Sequence, residues 1–294
     1  MNPSLLPVTL ALGLRSTAQS LGVIGRGLGV FAGLGLDLQI VREETAGPAG
    51  ARGLIGGEFQ FAEFGSVPVV QAGLEGHDPL IVMAAEQVAA LYMLGRSAGR
   101  DIASVGVLSA AGQTGFSAQR MLARWGISDA RLVPLGTYPA IYRALAEGSI
   151  DAGVLTADYK LAGEVAFGLH ELADLGRELG YQGPVLATTR RLAEAEPELV
   201  RRVIRAYVRT IRLFKTAPGE AVPLLRQHLG FVDPAQAAAI QRFYAARFQD
   251  RPFASEDGIA RVIGSFADQY PQARTMRPEA VYDRRFLQSV LDEE

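Results

Sequence analysis

The sequence predicts an α/β fold built in two lobes. Three observations carry that expectation. Residues 8–42 read as a strand (VTLALGL), a polar turn, a glycine-dotted helix and a second strand (LDLQIVR), with a connection too long for a hairpin. A connection of that length between apolar strands marks parallel pairing through a helix. Strand and helix signals then keep alternating as far as residue 156, and alternation of that kind belongs to parallel α/β sheets.

Composition bounds the class. A chain of 294 residues with 49% hydrophobic and 20% charged residues is globular, and at this length chains commonly divide into two lobes. Its 29 basic and 31 acidic side chains leave a net charge of -2, which offers no overall attraction to nucleic acid or to an anionic membrane. Cysteine is absent, which excludes disulfides, thiol nucleophiles and thiolate metal sites. The amino-terminal run MNPSLLPVTLALGL has no Lys or Arg before it and no small-residue cleavage site after it, so it is read as the first strand. The expected location is therefore extracytoplasmic if a signal peptide has been removed, and cytoplasmic otherwise. No run approaches the roughly 20 apolar residues that span a bilayer.

The elements follow in order. A short helix over 48–55 is closed by Gly56-Gly57, and EFQFAEF at 58–64 alternates as a strand does. Ser66 is expected to cap the next helix, with Pro68 in its first turn. LIVMAA (80–85) and ALYMLG (90–95) are buried strands. A second set of βα units begins near Asp101: SVGVLS (104–109), a glycine turn, a helix over 116–126, a strand over 130–136, a helix over 138–147 and a strand over 150–156. GPVLATT, from 183, returns as a strand. The segment PELVRRVIRAYVRTIRLFK then places Val200, Val203, Ile204, Tyr207, Val208, Ile211 and Phe214 on one helical face. Further helices are expected over 234–248, 256–269 and 278–291. No internal sequence repeat is visible.

Several chemistries lack support. Gly25, Gly27 and Gly29 miss the dinucleotide spacing and lie inside the helix rather than at its start, so they serve close packing. His77, His170 and His228 are far apart and none has metal-ligand spacing. Ser117 does not sit in a nucleophile elbow. The stripe Arg201, Arg205, Arg209 and Arg212 reads as the solvated face of an amphipathic helix. No catalytic residue, metal ligand or cofactor is assigned.

The positive signal is spread over four turns at strand ends: Arg15-Ser16-Thr17, Glu63-Phe64-Gly65-Ser66, Gln113-Thr114-Gly115 and Thr156-Ala157-Asp158-Tyr159. In open α/β sheets ligands bind at the carboxyl ends of strands. The last three turns open helices, whose free N–H groups favour an anion, and Arg15 can add a bidentate contact to a carboxylate or sulfonate. Two turns fall in each lobe, as the lining of an interlobe cleft requires. Glu63 and Asp158 leave two readings open. Either they face solvent or cap helices, or they face the ligand, which then carries an amino, amidine or hydroxyl donor besides its acid group.

The order of segments resembles the periplasmic substrate-binding proteins of ABC importers, in the nitrate, sulfonate, taurine and thiamine-precursor branch. GRGLGVFAGLGLDLQIV, LIGGEFQFAEFGSVPVVQA, ALAEGSIDAGVLTADYKLAG and PELVRRVIRAYVR carry the resemblance, which covers residues 8–229. It implies the type II periplasmic-binding-protein fold, with two crossing strands as hinge and carboxyl-terminal helices packed on lobe one. Carried onto this chain, lobe one is residues 1–88 and 186–294, and lobe two is 89–185. The implied function is capture of a small acid-bearing ligand by hinge closure, in a monomer that delivers it to a transporter permease, with no nucleic-acid partner. Arg15, Ser16 and Thr17 would hold one end of the ligand. Ser66, Gln113 and Thr114 would donate hydrogen bonds beside Glu63, Gly65 and Gly115, and Tyr159 would close the rim with Tyr138, Thr156 and Asp158. Asp158 stands where many members have a proline before the aromatic residue. The alternative is a cytoplasmic enzyme on the same fold (a lyase, a decarboxylase or a thiamine-pyrimidine synthase), with Glu63, Asp158 or Tyr159 as acid or base.

Overall fold

The computed structural model describes residues 5–43, 47–230 and 233–293. Residues 1–4, the start of the amino-terminal apolar run, lie outside them. The chain divides into two compact units, Met1–Gln87 with Gln182–Glu294, and Val88–Tyr181.

The first unit opens with β1 (Leu6–Leu12), α1 (Leu21–Gly27), α2 (Val30–Gly33) and β2 (Leu36–Arg42). Val8, Leu10, Ala11 and Leu12 are buried, which is why β1 reads as an almost continuous apolar run. The single glycine-dotted helix expected here is two, because Gly29 takes φ 72°, a left-handed conformation that ends one helix and starts the next. The chain continues through α3 (Gly47–Ile55), β3 (Phe61–Gly65), α4 (Ser66–Leu74) and β4 (Pro79–Met83).

The second unit contains β5 (Leu91–Gly95), β6 (Ser104–Val107), α5 (Gln113–Arg124), β7 (Arg131–Pro134), α6 (Tyr138–Glu147), β8 (Ala152–Thr156), α7 (Ala157–Phe167), β9 (His170–Asp174) and α8 (Leu175–Leu179). The Thr137 hydroxyl accepts from the Ala140 N–H at 3.3 Å to start α6, and Gly148, at φ 76°, ends it. Leu91, Met93, Val105, Val107, Met121, Leu122 and Val154 form this unit's core, each burial worth about 1.5–3 kcal/mol.

The return to the first unit runs through β10 (Pro184–Thr189), α9 (Arg190–Ala195), α10 (Pro197–Thr216), α11 (Pro218–Leu229), α12 (Pro234–Arg247), α13 (Glu256–Ser265) and α14 (Arg285–Asp292). All seven apolar residues of the α10 face are buried. Tyr207 meets Phe31 edge-on at 5.8 Å, and Phe214 packs on Phe248 at 5.3 Å. The last helix is shorter than expected. Pro278–Ala280 makes only a 3-10 turn, and the Asp283 carboxylate accepts from the Arg285 N–H at 2.9 Å just before α14 begins.

Both sheets are mixed rather than wholly parallel. In β2-β1-β3-β10-β4, strands β1, β2 and β3 are parallel, whereas β10 runs antiparallel between β3 and β4. In β7-β6-β8-β5-β9 the pattern repeats, with β5 antiparallel between β8 and β9. The two units thus share one topology without a repeat in sequence. Among the described residues no helix is long and apolar enough to cross a membrane.

Candidate functional site

In the first unit the β1 and β3 ends lie side by side, because those strands pair in parallel with Leu12 opposite Glu63. The chain leaving β1 turns sharply. The Gly13 N–H donates to the Glu63 carbonyl at 2.8 Å, and the Leu14 N–H donates to Gln19 Oε1 at 3.0 Å. A Cβ on Gly13 would lie 2.2 Å from Gln19 Oε1 and 2.8 Å from Phe64 Cβ, so the turn requires glycine there.

Ser16 and Thr17 are fully buried at the start of a 3-10 turn, Thr17–Gln19. The Ser16 carbonyl accepts from the Gln19 N–H at 2.9 Å and from the Ser20 hydroxyl at 2.6 Å. The Ser16 hydroxyl is buried with no hydrogen-bond partner among the described residues, which leaves it to donate to or accept from an incoming group. Arg15 is the exposed member of this turn. Its side chain is 47% exposed, pairs with Glu43 at 3.2 Å and lines a surface pocket of about 290 Å³ with Arg26, Leu224, Gln227 and His228.

Glu63 is a buried carboxylate committed to the fold. Its Oε1 accepts from the Leu21 N–H at 2.9 Å, and its Oε2 accepts from the Gly22 N–H at 3.1 Å and the Tyr207 hydroxyl at 3.1 Å. It thereby satisfies free N–H groups at the start of α1. Burial raises its pKa from 4.5 to about 7, opposed by the three hydrogen bonds. Gly65 is the N-cap residue of α4, and Ser66 is its first helical residue rather than its cap. The Ser66 hydroxyl donates to the Gln182 carbonyl at 2.7 Å.

In the second unit the remaining candidates again stand at the carboxyl ends of the parallel strands. After β6, the Leu108 N–H donates to Thr114 Oγ1 at 3.0 Å, which leaves the Thr114 hydroxyl proton available. Gly115 lies so close to this turn that a Cβ would approach the Ser109 and Ala110 carbonyl oxygens at 2.4 and 2.5 Å. Gln113 begins α5 and is half-buried. After β8, the Thr156 hydroxyl donates to Asp158 Oδ2 at 2.8 Å, and Asp158 is fully buried in the first turn of α7. Tyr159 packs its ring on Tyr138 at 5.6 Å and on Tyr142 at 5.7 Å. Burial and the nearby Asp158 and Tyr159 push the Tyr138 hydroxyl pKa well up, so it stays protonated and able to donate.

Ser16, Thr17, Glu63, Gly65 and Ser66 thus gather in one unit, and Gln113, Thr114, Gly115, Tyr138, Thr156, Asp158 and Tyr159 in the other. Sequence reasoning missed Gln19, Gln182 and Tyr142, and it read Tyr207 as core only. Tyr142 had a signal, since it stands one helical turn after Tyr138. Among the described residues no cluster of His, Asp or Glu has the geometry of a metal site.

Known proteins share this architecture. A protein of Bordetella bronchiseptica RB50 superposes with a TM-score of 0.85 at 18% identity, over 98% of this chain and 97% of that one. The alkanesulfonate-binding protein SsuA from Xanthomonas axonopodis pv. citri, solved with MOPS bound, gives 0.75 at 20% identity over 97% and 99% of the two chains. The periplasmic aliphatic sulphonate binding protein SsuA from Escherichia coli gives 0.68 at 20% identity over 97% and 91%. The shared fold is that of the periplasmic binding proteins. Comparison with curated protein sequences gives no match. The NMT1/THI5 like family model matches residues 23–221, more than half of the chain, and the protein belongs to that family.

Proposed function

We propose that the protein is a solute-binding protein that captures a small organic, acid-bearing molecule for ABC-type import. The observation that carries this reading is the set of buried polar side chains at the carboxyl ends of parallel strands in two units of one topology, above all the unsatisfied Ser16 hydroxyl. Buried polar groups are ordinarily satisfied, and a ligand is what completes such a set. Membership of the NMT1/THI5 like family and the likeness to sulfonate-binding proteins support a small acid as the ligand class and an extracytoplasmic location.

On this reading the ligand is recognised by the strand-end turns that each unit carries. The first unit, Met1–Gln87 with Gln182–Glu294, offers Ser16, Thr17 and Ser66. The second, Val88–Tyr181, offers Gln113, Thr114, Tyr138, Thr156, Asp158 and Tyr159. Arg15, already paired with Glu43, contributes positive charge at the rim. The protein acts as a monomer that presents its ligand to a transporter permease. Glu63, the acid or base of the enzymatic alternative, has both carboxylate oxygens engaged by Leu21, Gly22 and Tyr207.

Thermal denaturation with a panel of alkanesulfonates, aminosulfonates and small carboxylates tests the proposal. A true ligand at about 100 times its Kd adds about 2.7 kcal/mol and raises Tm by several degrees. A panel that leaves Tm unmoved, together with no acid-bearing small molecule released from the purified protein on denaturation, would refute it.

A further inference from the structure

The segment 13–22, which carries Arg15, Ser16 and Thr17, is fixed at both ends by groups outside it. At its start, Gly13 donates its N–H to the Glu63 carbonyl at 2.8 Å. At its end, the Glu63 carboxylate takes the Leu21 and Gly22 N–H groups at 2.9 and 3.1 Å. One residue of β3 therefore holds the whole segment, through its backbone at one end and its side chain at the other.

The carboxylate is in turn held by Tyr207 of α10, whose hydroxyl donates to Oε2 at 3.1 Å. The fit is close: a Cβ on Gly22 would come 2.9 Å from Tyr207 Oη and 3.2 Å from Glu63 Oε2. The groups facing the carboxyl are the two amides of α1 and this phenol, while the strands on either side place Leu12 and Leu186 opposite Glu63. Among the described residues Tyr207 is the titratable side chain acting on it, and burial, reinforced by Glu63, keeps the phenol protonated.

We propose that Glu63 and Tyr207 are positioning residues, a buried clamp whose protonation state sets how firmly segment 13–22 is held. On the reading that residues 15–17 meet the ligand, the clamp couples ligand affinity to pH.

The sign follows from linkage. Burial raises the folded-state pKa of Glu63 to about 7, against 4.5 in water, so the closed clamp prefers the proton. Opening the segment exposes the carboxyl and returns it toward its ordinary value. Rising pH therefore favours opening, through the window between those two values. The three hydrogen bonds moderate the effect without reversing it, because each favours the ionised form while desolvation outweighs them.

The test is amide hydrogen exchange on the ligand-free full chain, with rates expressed as protection factors so that intrinsic base catalysis is removed. In the wild type, protection at Leu21 and Gly22 should fall at least about fivefold between about pH 5.5 and about pH 8. In Glu63→Gln that pH dependence should vanish. In Tyr207→Phe, which keeps the ring but loses a hydrogen bond to the carboxylate, the midpoint should move to higher pH. A flat wild-type profile, an unchanged profile in Glu63→Gln, or an unmoved midpoint in Tyr207→Phe would each overturn the clamp. None of these readouts needs a ligand, so failure here stays separate from failure of the solute-binding reading.

Discussion

The Ser66 hydroxyl donates to the backbone carbonyl of Gln182 at 2.7 Å, joining the start of α4 to the segment that leads into β10. The Gln182 side chain extends the link. Its Nε2 donates to the Glu86 carbonyl at 2.8 Å, and its Oε1 accepts from the Ser255 N–H at 2.6 Å. Gln182 is fully buried, so these bonds replace water that cannot reach it.

Ser66→Ala should therefore leave a buried carbonyl unsatisfied and cost about 1–3 kcal/mol. Gln182→Ala should cost more, because it strips partners from two backbone groups at once. Urea denaturation at neutral pH measures both, and Ser66→Ala should lower the midpoint with the m-value unchanged.

Two glycines should respond in opposite directions. At Gly115 a Cβ would press on the carbonyl oxygens of Ser109 and Ala110 at 2.4 and 2.5 Å, and backbone cannot swing aside. Gly115→Ala should cost about 1–3 kcal/mol. Gly264 lies inside α13, and a Cβ added there would meet nothing within 4 Å among the described residues. Gly264→Ala should stabilise by roughly 0.5–1 kcal/mol through the loss of unfolded-chain entropy. Paired thermal scans would show the opposite signs.

Global stability should depend on pH through Glu63. Its folded-state pKa, about 7, exceeds the 4.5 of the unfolded chain, so folding takes up a proton between those values. This contribution is fully present below the unfolded value and is lost as pH rises through the folded one, on the order of 3 kcal/mol in all. Glu63→Gln should flatten that part of the profile. Asp151 and Asp283 act oppositely. Hydrogen bonds from Ser104 and Arg285 hold their pKa values below the usual range, so their share of stability is lost as pH falls.

The tyrosine cluster gives a further check. Tyr159 is 6% exposed and packs between Tyr138 and Tyr142. Tyr159→Ala should cost about 3–5 kcal/mol, the range for large aromatic truncations, while Tyr159→Phe keeps the packing and should cost far less. Equal losses in the two variants would shift the weight to the hydroxyl.

Much of this architecture was legible in sequence. Apolar periodicity located β1, β8 and the buried face of α10, and Gly148 marked the end of α6, because those signals are local. Elements that depend on a partner were harder to read. The strand β9, HELAD, is half polar because it lies at a sheet edge, and α11 contains Pro223. The mixed character of the sheets escaped because no local pattern tells that β10 and β5 run against their neighbours. The strand-end turns could be found one by one, but the partners of their side chains could not. Glu63 meets Tyr207 across 144 positions and Ser66 meets Gln182 across 116, distances over which spacing carries no information.

The most direct test of ligand capture at the strand ends is calorimetric titration of wild type and Ser16→Ala with the acid-bearing molecule that raises Tm. The Ser16 hydroxyl has no hydrogen-bond partner among the described residues, so its removal should leave Tm within about 2 °C while losing one ligand contact. The expected result is one molecule bound per wild-type chain and an affinity about 5- to 15-fold weaker in Ser16→Ala. Equal affinities in the two proteins would contradict the placement of the ligand at this turn.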